Sequence, residues 1–509
     1  MHKVEKKTTL NGSRLVIVSN RLPVFLTKNN DNTYKAEPGT GGLVTALAPV
    51  LRNRGGIWIG WPGIVAQECD SINRVLNKQS KDIGYALKPV CLDKRQVETY
   101  YKGFANEILW PLFHDFIAYC NFDPKYWQAY QEVSEKFARV IIKNIKETDF
   151  IWIHDYHLIA VVSKLRAMNV SNKIGFFLHI PFPPADIFAR LPWRHEILNY
   201  LLQYDIIGFQ SLRDRRNFFQ CIRNFIPDLR GTGRGRLLRF HYQKREIRIG
   251  IFPISIDYKA FRNLAKSDSV QFRVKTIRNE LSNQKIILGV DRMDYSKGIL
   301  DRLRAYRNAL KRYPELLEKI VMVQIVVPSR RQIDRYEKLK IEIERLVGQI
   351  NGEFSRIRWT PVNYFFRSLD QETLVAYYRA ADIALITPIK DGANLVAKEY
   401  CAANVDETGV LILSEFAGAA GQFEKEVILV NPHDIQGMAD AIHFACQMPE
   451  AERKRRMRYL RSKVRRYDIF WWVNAFLESA ILKKLSHFPL IDEYNPFDEE
   501  AATRFDIQR

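Results

Sequence analysis

Several features are scarce in this sequence of 509 residues. It has only six cysteines, Cys69, Cys91, Cys120, Cys221, Cys401 and Cys446, far apart and without a C-x-x-C. That spacing offers neither a disulfide framework nor a zinc knuckle, and it suits a reducing compartment. No window approaches the roughly 18 consecutive apolar residues of a membrane span. The basic start, MHKVEKKTTLNG, has no apolar segment behind it of the kind a secretory signal carries. A cytoplasmic protein without a membrane partner is the expectation.

Negative charge is also in short supply. Lys and Arg number 78 against 57 Asp and Glu, a net charge of +21. Nucleic acid, an acidic membrane surface or small anionic substrates would each favour such a surplus. The charge concentrates at residues 230–248 and 453–466. The first stretch mixes glycine, arginine and aromatics but lacks an RGG repeat or an RRM-type signature, so nucleic acid is a disfavoured partner. The second has helical spacing and reads as a solvated helix face. No internal repeat or long low-complexity segment is present.

What the chain does have is apolar residues, 47% of the total, over a length that predicts two domains. Short β-rich runs recur: RLVIVSN, GIWIGW, FIWIHDY, IGFFLH, IIGFQ and IRIGIFPIS, then KIILGVD, IVMVQIVVP, IRWTPV, IALITP, GVLILS and VILVN. Many are almost wholly apolar, as strands covered on both faces should be, and helix-periodic segments separate most of them. The alternation predicts two doubly wound α/β sheets. The polar stretch 257–283 reads as the passage between domains. The acidic end of the chain reads as loosely ordered.

Open α/β sheets bind ligands just past the carboxyl ends of their strands. Polar residues cluster there. Arg21 ends one run, and Gly39, Gly41 and Gly42 precede an apolar helix whose free amides could hold an anion, although a plain turn explains them as well. His154, Asp155 and His157 end a second run, and His179 a third. Without a third ligand pattern, hydrogen bonding is favoured over a metal site. Arg292 and Lys297, with a glycine opening the next helix, suit a pyrophosphate, and Arg330 ends a further strand. In PIKDGANLVAKEY, Asp391 precedes a helix whose first amides belong to Asn394, Leu395 and Val396. Glu399 shares the face of Leu395 and Val396 and suits a diol such as a ribose.

Taken in order, VSNRLPV, GGLVTAL, WIGWPG, LWPLFH, WIHDYHL, GFFLHIPFPP, GFQ, DRMDYSKGI, VPSR, DGANLVAKEY and GVLILSEFAGAA resemble the trehalose-6-phosphate synthase family. These are retaining glycosyltransferases of the GT-B architecture, two facing Rossmann-like doubly wound domains. The resemblance covers nearly the whole chain. It implies an acceptor domain at 1–260, a nucleotide-sugar domain at 261–465, and at 466–509 a C-terminal helix packing back on the first plus an acidic tail. It implies glucose transfer from a nucleotide sugar, UDP-glucose ahead of ADP- or GDP-glucose, to the anomeric hydroxyl of glucose 6-phosphate, with retention, no cofactor and no metal. A sister enzyme such as a glucosylglycerol-phosphate synthase or a pseudo-glycosyltransferase is the alternative, and a non-catalytic RNA or acidic-partner binder a remote one.

By the same resemblance, glucose 6-phosphate meets Arg21, Tyr101, Trp110, Asp155 and Arg330. The nucleotide sugar meets Gly42, His179, Arg292, Lys297, Asp391, the amides of Asn394, Leu395 and Val396, and Glu399. Asp155, His179, Arg292, Lys297 and Asp391 would carry catalysis. The sequence departs from the family at Ala393, where methionine is usual. No D-x-D occurs, so the metal-assisted route of the other large glycosyltransferase class is poorly supported. The D-x-D-G-T nucleophile motif of a fused phosphatase is absent too, so a separate trehalose-6-phosphate phosphatase is an expected partner in the pathway. A homo-oligomer is compatible with the resemblance.

Overall fold

The computed structural model describes residues 14–481 except 29–33, 40–41, 67–68, 227–229, 233–236, 244, 282–283, 330–332 and 424. The described residues form two compact units. One takes the chain up to Phe252 and again from Val473, and the other spans Pro253–Trp472.

In the first unit, β1 (Leu15–Arg21) is followed by a hairpin of β2 (Val24–Lys28) and β3 (Tyr34–Pro38). Then come β4 (Ile57–Trp61), β5 (Ala86–Pro89), β6 (Phe150–His154), β7 (Ile174–Phe177) and β8 (Ile206–Phe209). These last five and β1 form a parallel core in the order β5-β4-β1-β6-β7-β8. The sheet is extended by β11 (Arg245–Ile251), β10 (Leu237–Tyr242) and β9 (Arg230–Thr232). β11 is parallel to β8, whereas β10 and β9 run antiparallel. The described residues of the basic stretch 230–248 are therefore strands at a sheet margin, where charge discourages edge-to-edge pairing.

The second unit holds β12 (Lys285–Arg292), β13 (Ile320–Val327), β14 (Val362–Phe366), β15 (Ile383–Ile386), β16 (Val410–Ser414) and β17 (Ile428–Val430). They are ordered β14-β13-β12-β15-β16-β17, all parallel. Both units thus share one winding: the chain starts mid-sheet, runs to one edge, returns and fills the other side. Alternation along β12 explains why its run is continuously apolar. Ile286, Leu288 and Val290 enter one core and Ile287 the other, so both faces are covered.

Glycine sets the packing on the first sheet. A Cβ on Gly175 or Gly208 would stand 2.9 Å from the Phe476 ring. That ring stacks on Trp152 with centroids 4.3 Å apart, holding the part of the helix Ile469–Ile481 that starts at Val473 to the sheet face.

Three expectations need correction. Cys69 and Cys91 form a disulfide with Cα atoms 5.9 Å apart. Their separation in sequence hid this proximity, which arises because Val65 pairs with Leu92 beside them. The stretch 257–283 is not a bare passage. It contains the helices Tyr258–Ala265 and Asp268–Glu280, whose Phe261, Ala265, Val270 and Ile277 enter the second unit's core. The run IRWTPV contributes only its last residue to β14, which continues through VNYFF.

Candidate functional site

Both sheets reverse winding direction once, between β1 and β6 in the first and between β12 and β15 in the second. Each switch leaves a crevice at the strands' carboxyl ends, because the flanking loops leave in opposite directions. The predicted residues gather at those two places.

At the first switch, Arg21 ends β1. Its guanidinium carbon lies 4.6 Å from the centroid of the Trp61 ring. A Cβ on Gly63, whose φ is +91°, would overlap that guanidinium, so only glycine leaves the arginine its place. Burial pulls the Arg21 pKa down while the neighbouring Tyr101 pushes it up. Tyr101 projects from the π-helix Val97–Leu109, packing edge-on against Trp61 at 5.3 Å and stacking on His157 at 6.1 Å. A π-helix is a costly geometry that concentrates at functional sites. Trp110, which follows it, is buried against His114 and Tyr156, with centroids 4.1 and 5.9 Å away.

Asp155, directly after β6, has φ +74°, a strained backbone for a residue with a side chain. Contacts with the next strand end help hold it there. Its N–H donates to the Phe177 carbonyl (2.8 Å), and its Oδ1 accepts the His179 N–H (3.2 Å). His154 Nδ1 and His179 Nε2 are 3.0 Å apart, so one ring donates to the other. Burial pushes His179 down to about 3 and His154 well below its ordinary value. Both imidazoles are therefore neutral near pH 7 and suited to hydrogen bonding, not to acid catalysis. Gly42 starts the helix Gly42–Arg54, while Gly41 lies outside the described residues.

The second switch is ionic. Arg292 ends β12 half-exposed, its guanidinium 4.0 Å from Asp294. Lys297 follows in a short 3₁₀ turn, and its Nζ donates to Asp391 Oδ2 at 2.7 Å. Asn394 Nδ2 donates to the same oxygen at 3.2 Å, while its Oδ1 accepts the Ala397 N–H and caps the helix Leu395–Ala403. That helix presents the amides of Leu395 and Val396 in its first turn. Glu399, one turn further, accepts from the Tyr378 hydroxyl at 2.9 Å, and burial raises its pKa. Ala393, in the loop before the helix, is partly exposed. Arg330 lies outside the described residues.

Two supports of this cluster escape sequence reasoning. Arg302, fully buried, pairs with Asp291 and also donates to Thr387 Oγ1 (3.1 Å), Gln324 Oε1 (3.2 Å) and the Lys297 carbonyl (3.3 Å). It ties β12, β13 and the residue after β15 to the loop bearing Lys297. The Asp391 loop is clamped from the other side, where the Gly418 N–H donates to the Asp391 carbonyl (3.0 Å). A Cβ on Gly418 would sit 1.7 Å from the Gly392 carbonyl oxygen, so this approach requires glycine. Among the described residues, no group of three or more His, Cys, Asp or Glu could hold a metal ion, and no helix is long and apolar enough to cross a membrane.

Comparison with known proteins bears on this geometry. The profile of Glycosyltransferase family 20 matches residues 13–481. The trehalose-6-phosphate synthase of Mycolicibacterium vanbaalenii is 41% identical over 478 residues, 93% of this chain and 97% of that one. A solved UDP-forming α,α-trehalose-phosphate synthase from Burkholderia xenovorans, in complex with glucose-6-phosphate, superposes with a TM-score of 0.82. It is 34% identical over 92% of this chain and 100% of its own. A structure from E. coli bound with UDP-2-fluoro glucose gives the same TM-score at 33% identity, over 92% of this chain and 99% of that one.

Proposed function

The chain belongs to glycosyltransferase family 20, and from that premise we propose that it makes trehalose 6-phosphate, transferring glucose from UDP-glucose to glucose 6-phosphate with retention. The observation that carries the reading is the Lys297–Asp391–Asn394 cluster at the second switch point. A cation, a carboxylate and a capped helix start meet there within hydrogen-bonding distance. A nucleoside diphosphate sugar needs that set: positive charge and amides for the diphosphate, a carboxylate for a sugar hydroxyl.

In this reading Arg21, Tyr101, Trp110 and Asp155 hold glucose 6-phosphate, together with Arg330. Arg292 and Lys297 receive the charge of the departing diphosphate. Each charge-assisted hydrogen bond is worth roughly 1.5–3 kcal/mol, so two acting where charge develops supply several powers of ten in rate. The ammonium of Lys297 has three donors, of which Asp391 takes one. Asp391 positions a donor hydroxyl, and Glu399 takes the ribose diol. Neutral His179 offers an uncharged hydrogen bond to a sugar.

The bond between the glucosyl carbon and the UDP oxygen breaks while the acceptor oxygen bonds to that carbon from the same face. The acceptor's proton passes to the departing phosphate oxygen. In this reading a phosphatase removes the phosphate from the product. The test is a product assay pairing UDP-, ADP- and GDP-glucose with glucose 6-phosphate, glycerol 3-phosphate and free glucose. Trehalose 6-phosphate from UDP-glucose is the expected product. Transfer to glycerol 3-phosphate with glucose 6-phosphate inert would overturn the reading.

A further inference from the structure

The second unit carries a concave basic site that the proposed reaction does not use. It is a cavity of about 900 Å³ between the helices Tyr258–Ala265 and Glu450–Arg466. Its lining includes six cations, Lys259, Arg262, Arg458, Arg461, Arg465 and Arg466, and two acids, Glu407 and Asp468. Arg292, Lys297 and Asp391 are not among its walls. The volume lies in the range of small-molecule sites.

A solvated helix face is the ordinary explanation of residues 453–466, and it accounts for cations that fan outward. Here cations from two helices line one cavity instead. Arg458, Arg461 and Arg465 recur at three- and four-residue spacing, placing them on one helix face, and Lys259 and Arg262 do the same on the other helix.

The floor of the cavity is rigid. Arg461 is buried, donates to the Cys401 and Ala402 carbonyls at 3.0 Å each, and reaches the Tyr258 hydroxyl at 3.1 Å. Its Nε is 3.7 Å from Glu407, which also accepts from Arg458 at 3.1 Å. Arg466 stands over the Tyr467 ring at 5.5 Å. Arg262 and Arg465 are exposed and have no ion pair with a described residue. Like charges gathered in one concavity repel each other, and an anion relieves that repulsion.

We infer that this cavity binds a compact polyphosphorylated anion, with Arg262 and Arg465 as its outer clamps and Arg461 as its fixed base. A surplus of four positive charges matches a triphosphate far better than a single phosphate. The phosphate chain is the shared chemistry. It could come from an inorganic polyphosphate or from a nucleoside triphosphate.

The test is calorimetric titration of the full-length protein with inorganic tripolyphosphate, and separately with ATP, at fixed ionic strength. UDP and glucose 6-phosphate are kept saturating so that the proposed substrate sites are filled. We expect one equivalent to bind, and the R262Q/R465Q variant to bind at least tenfold more weakly with both substrate KM values within twofold of wild type. The single variant R465Q should fall between, which keeps the result readable if the double variant folds poorly. Equal affinity for the two ligands assigns the site to the phosphate chain. Tighter binding of ATP assigns it to a nucleotide. No binding of either up to millimolar concentration, or equal binding by wild type and both variants, overturns the inference.

Discussion

The two switch points share a winding and differ in chemistry. The first is built from aromatic rings, one half-buried arginine and a neutral histidine pair. The second is built from ion pairs, with Lys297 on Asp391 and Arg302 on Asp291. An identical strand order therefore does not dictate the polarity of what it holds. The wound sheet supplies a crevice, and a few residues after each strand decide which ligand fits it. Stacked rings and a fixed guanidinium suit a rigid phosphosugar. In the proposed reading, a fixed ammonium–carboxylate pair suits a leaving group whose charge grows during reaction.

The contrast breaks most severely at Arg302. Arg302→Ala leaves Asp291 buried without its cation, at a cost of about 3–5 kcal/mol. The lowered transition should be plain in a thermal scan followed by circular dichroism. A change no larger than that of an exposed control such as Arg304→Ala would show that the buried pair does not hold the second unit together.

Lys297→Ala comes next. It removes a group proposed to act as charge develops, so kcat should fall by roughly two to three orders of magnitude, as for loss of one oxyanion donor. Steady-state rates with UDP-glucose test this, and a loss under threefold removes Lys297 from the leaving-group role. The matching change in the first unit is Arg21→Ala. It should raise the KM for glucose 6-phosphate by at least tenfold, consistent with about 1.5–3 kcal/mol for a charged hydrogen bond, and leave the KM for UDP-glucose nearly constant. Equal effects on both constants would erase the division of labour between the two switch points.

The places of these residues are legible in sequence because parallel strands buried on both faces are apolar throughout, so a polar residue at their carboxyl end stands out. Arg21, Asp155, His179 and Arg292 all stand out in this way. The supports behind them do not. Arg302 lies in LDRLRAYRNALKR, where an arginine within an amphipathic helix reads as solvent-facing, and only its pairing with Asp291 on β12 explains its burial. Lys297 and Asp391 are 94 residues apart, and nothing local to either announces the other. Gly63 reads as a turn residue, yet its missing Cβ is what admits the Arg21 side chain. Cys69 and Cys91 show the same limit, since spacing along the chain says little about distance across a wound sheet. Periodicity reports which face a residue occupies; it does not report which partner waits there.

The smallest expected effect separates the units by pH. In the first, His154 and His179 are held neutral, with His179 at about 3. Between that value and the ordinary 6.5 or so of an unfolded histidine, the unfolded chain binds more protons. Stability contributed by keeping these rings neutral is thus present above pH 6.5 and lost as the pH falls. In the second unit the corresponding group is Lys398, buried, donating to the Ile254 carbonyl at 2.5 Å and pushed down to about 7 by burial. Unfolded lysine titrates near 10.4, so from about pH 7 to 10 the unfolded chain again holds the extra proton, and stability rises with pH across that window. Lys398→Met keeps most of the volume and removes the titration. Above about pH 10, where folded and unfolded lysine are both neutral, it should cost roughly 1 kcal/mol for the lost hydrogen bond. Below that it also removes the deprotonation penalty, so the rise in melting temperature between pH 7 and 10 flattens while the acid response of the histidine pair stays intact. A variant that keeps the alkaline slope would mean that Lys398 stays protonated in the folded protein. Its ammonium would then need an anionic or multiply accepting partner beyond the single carbonyl of Ile254.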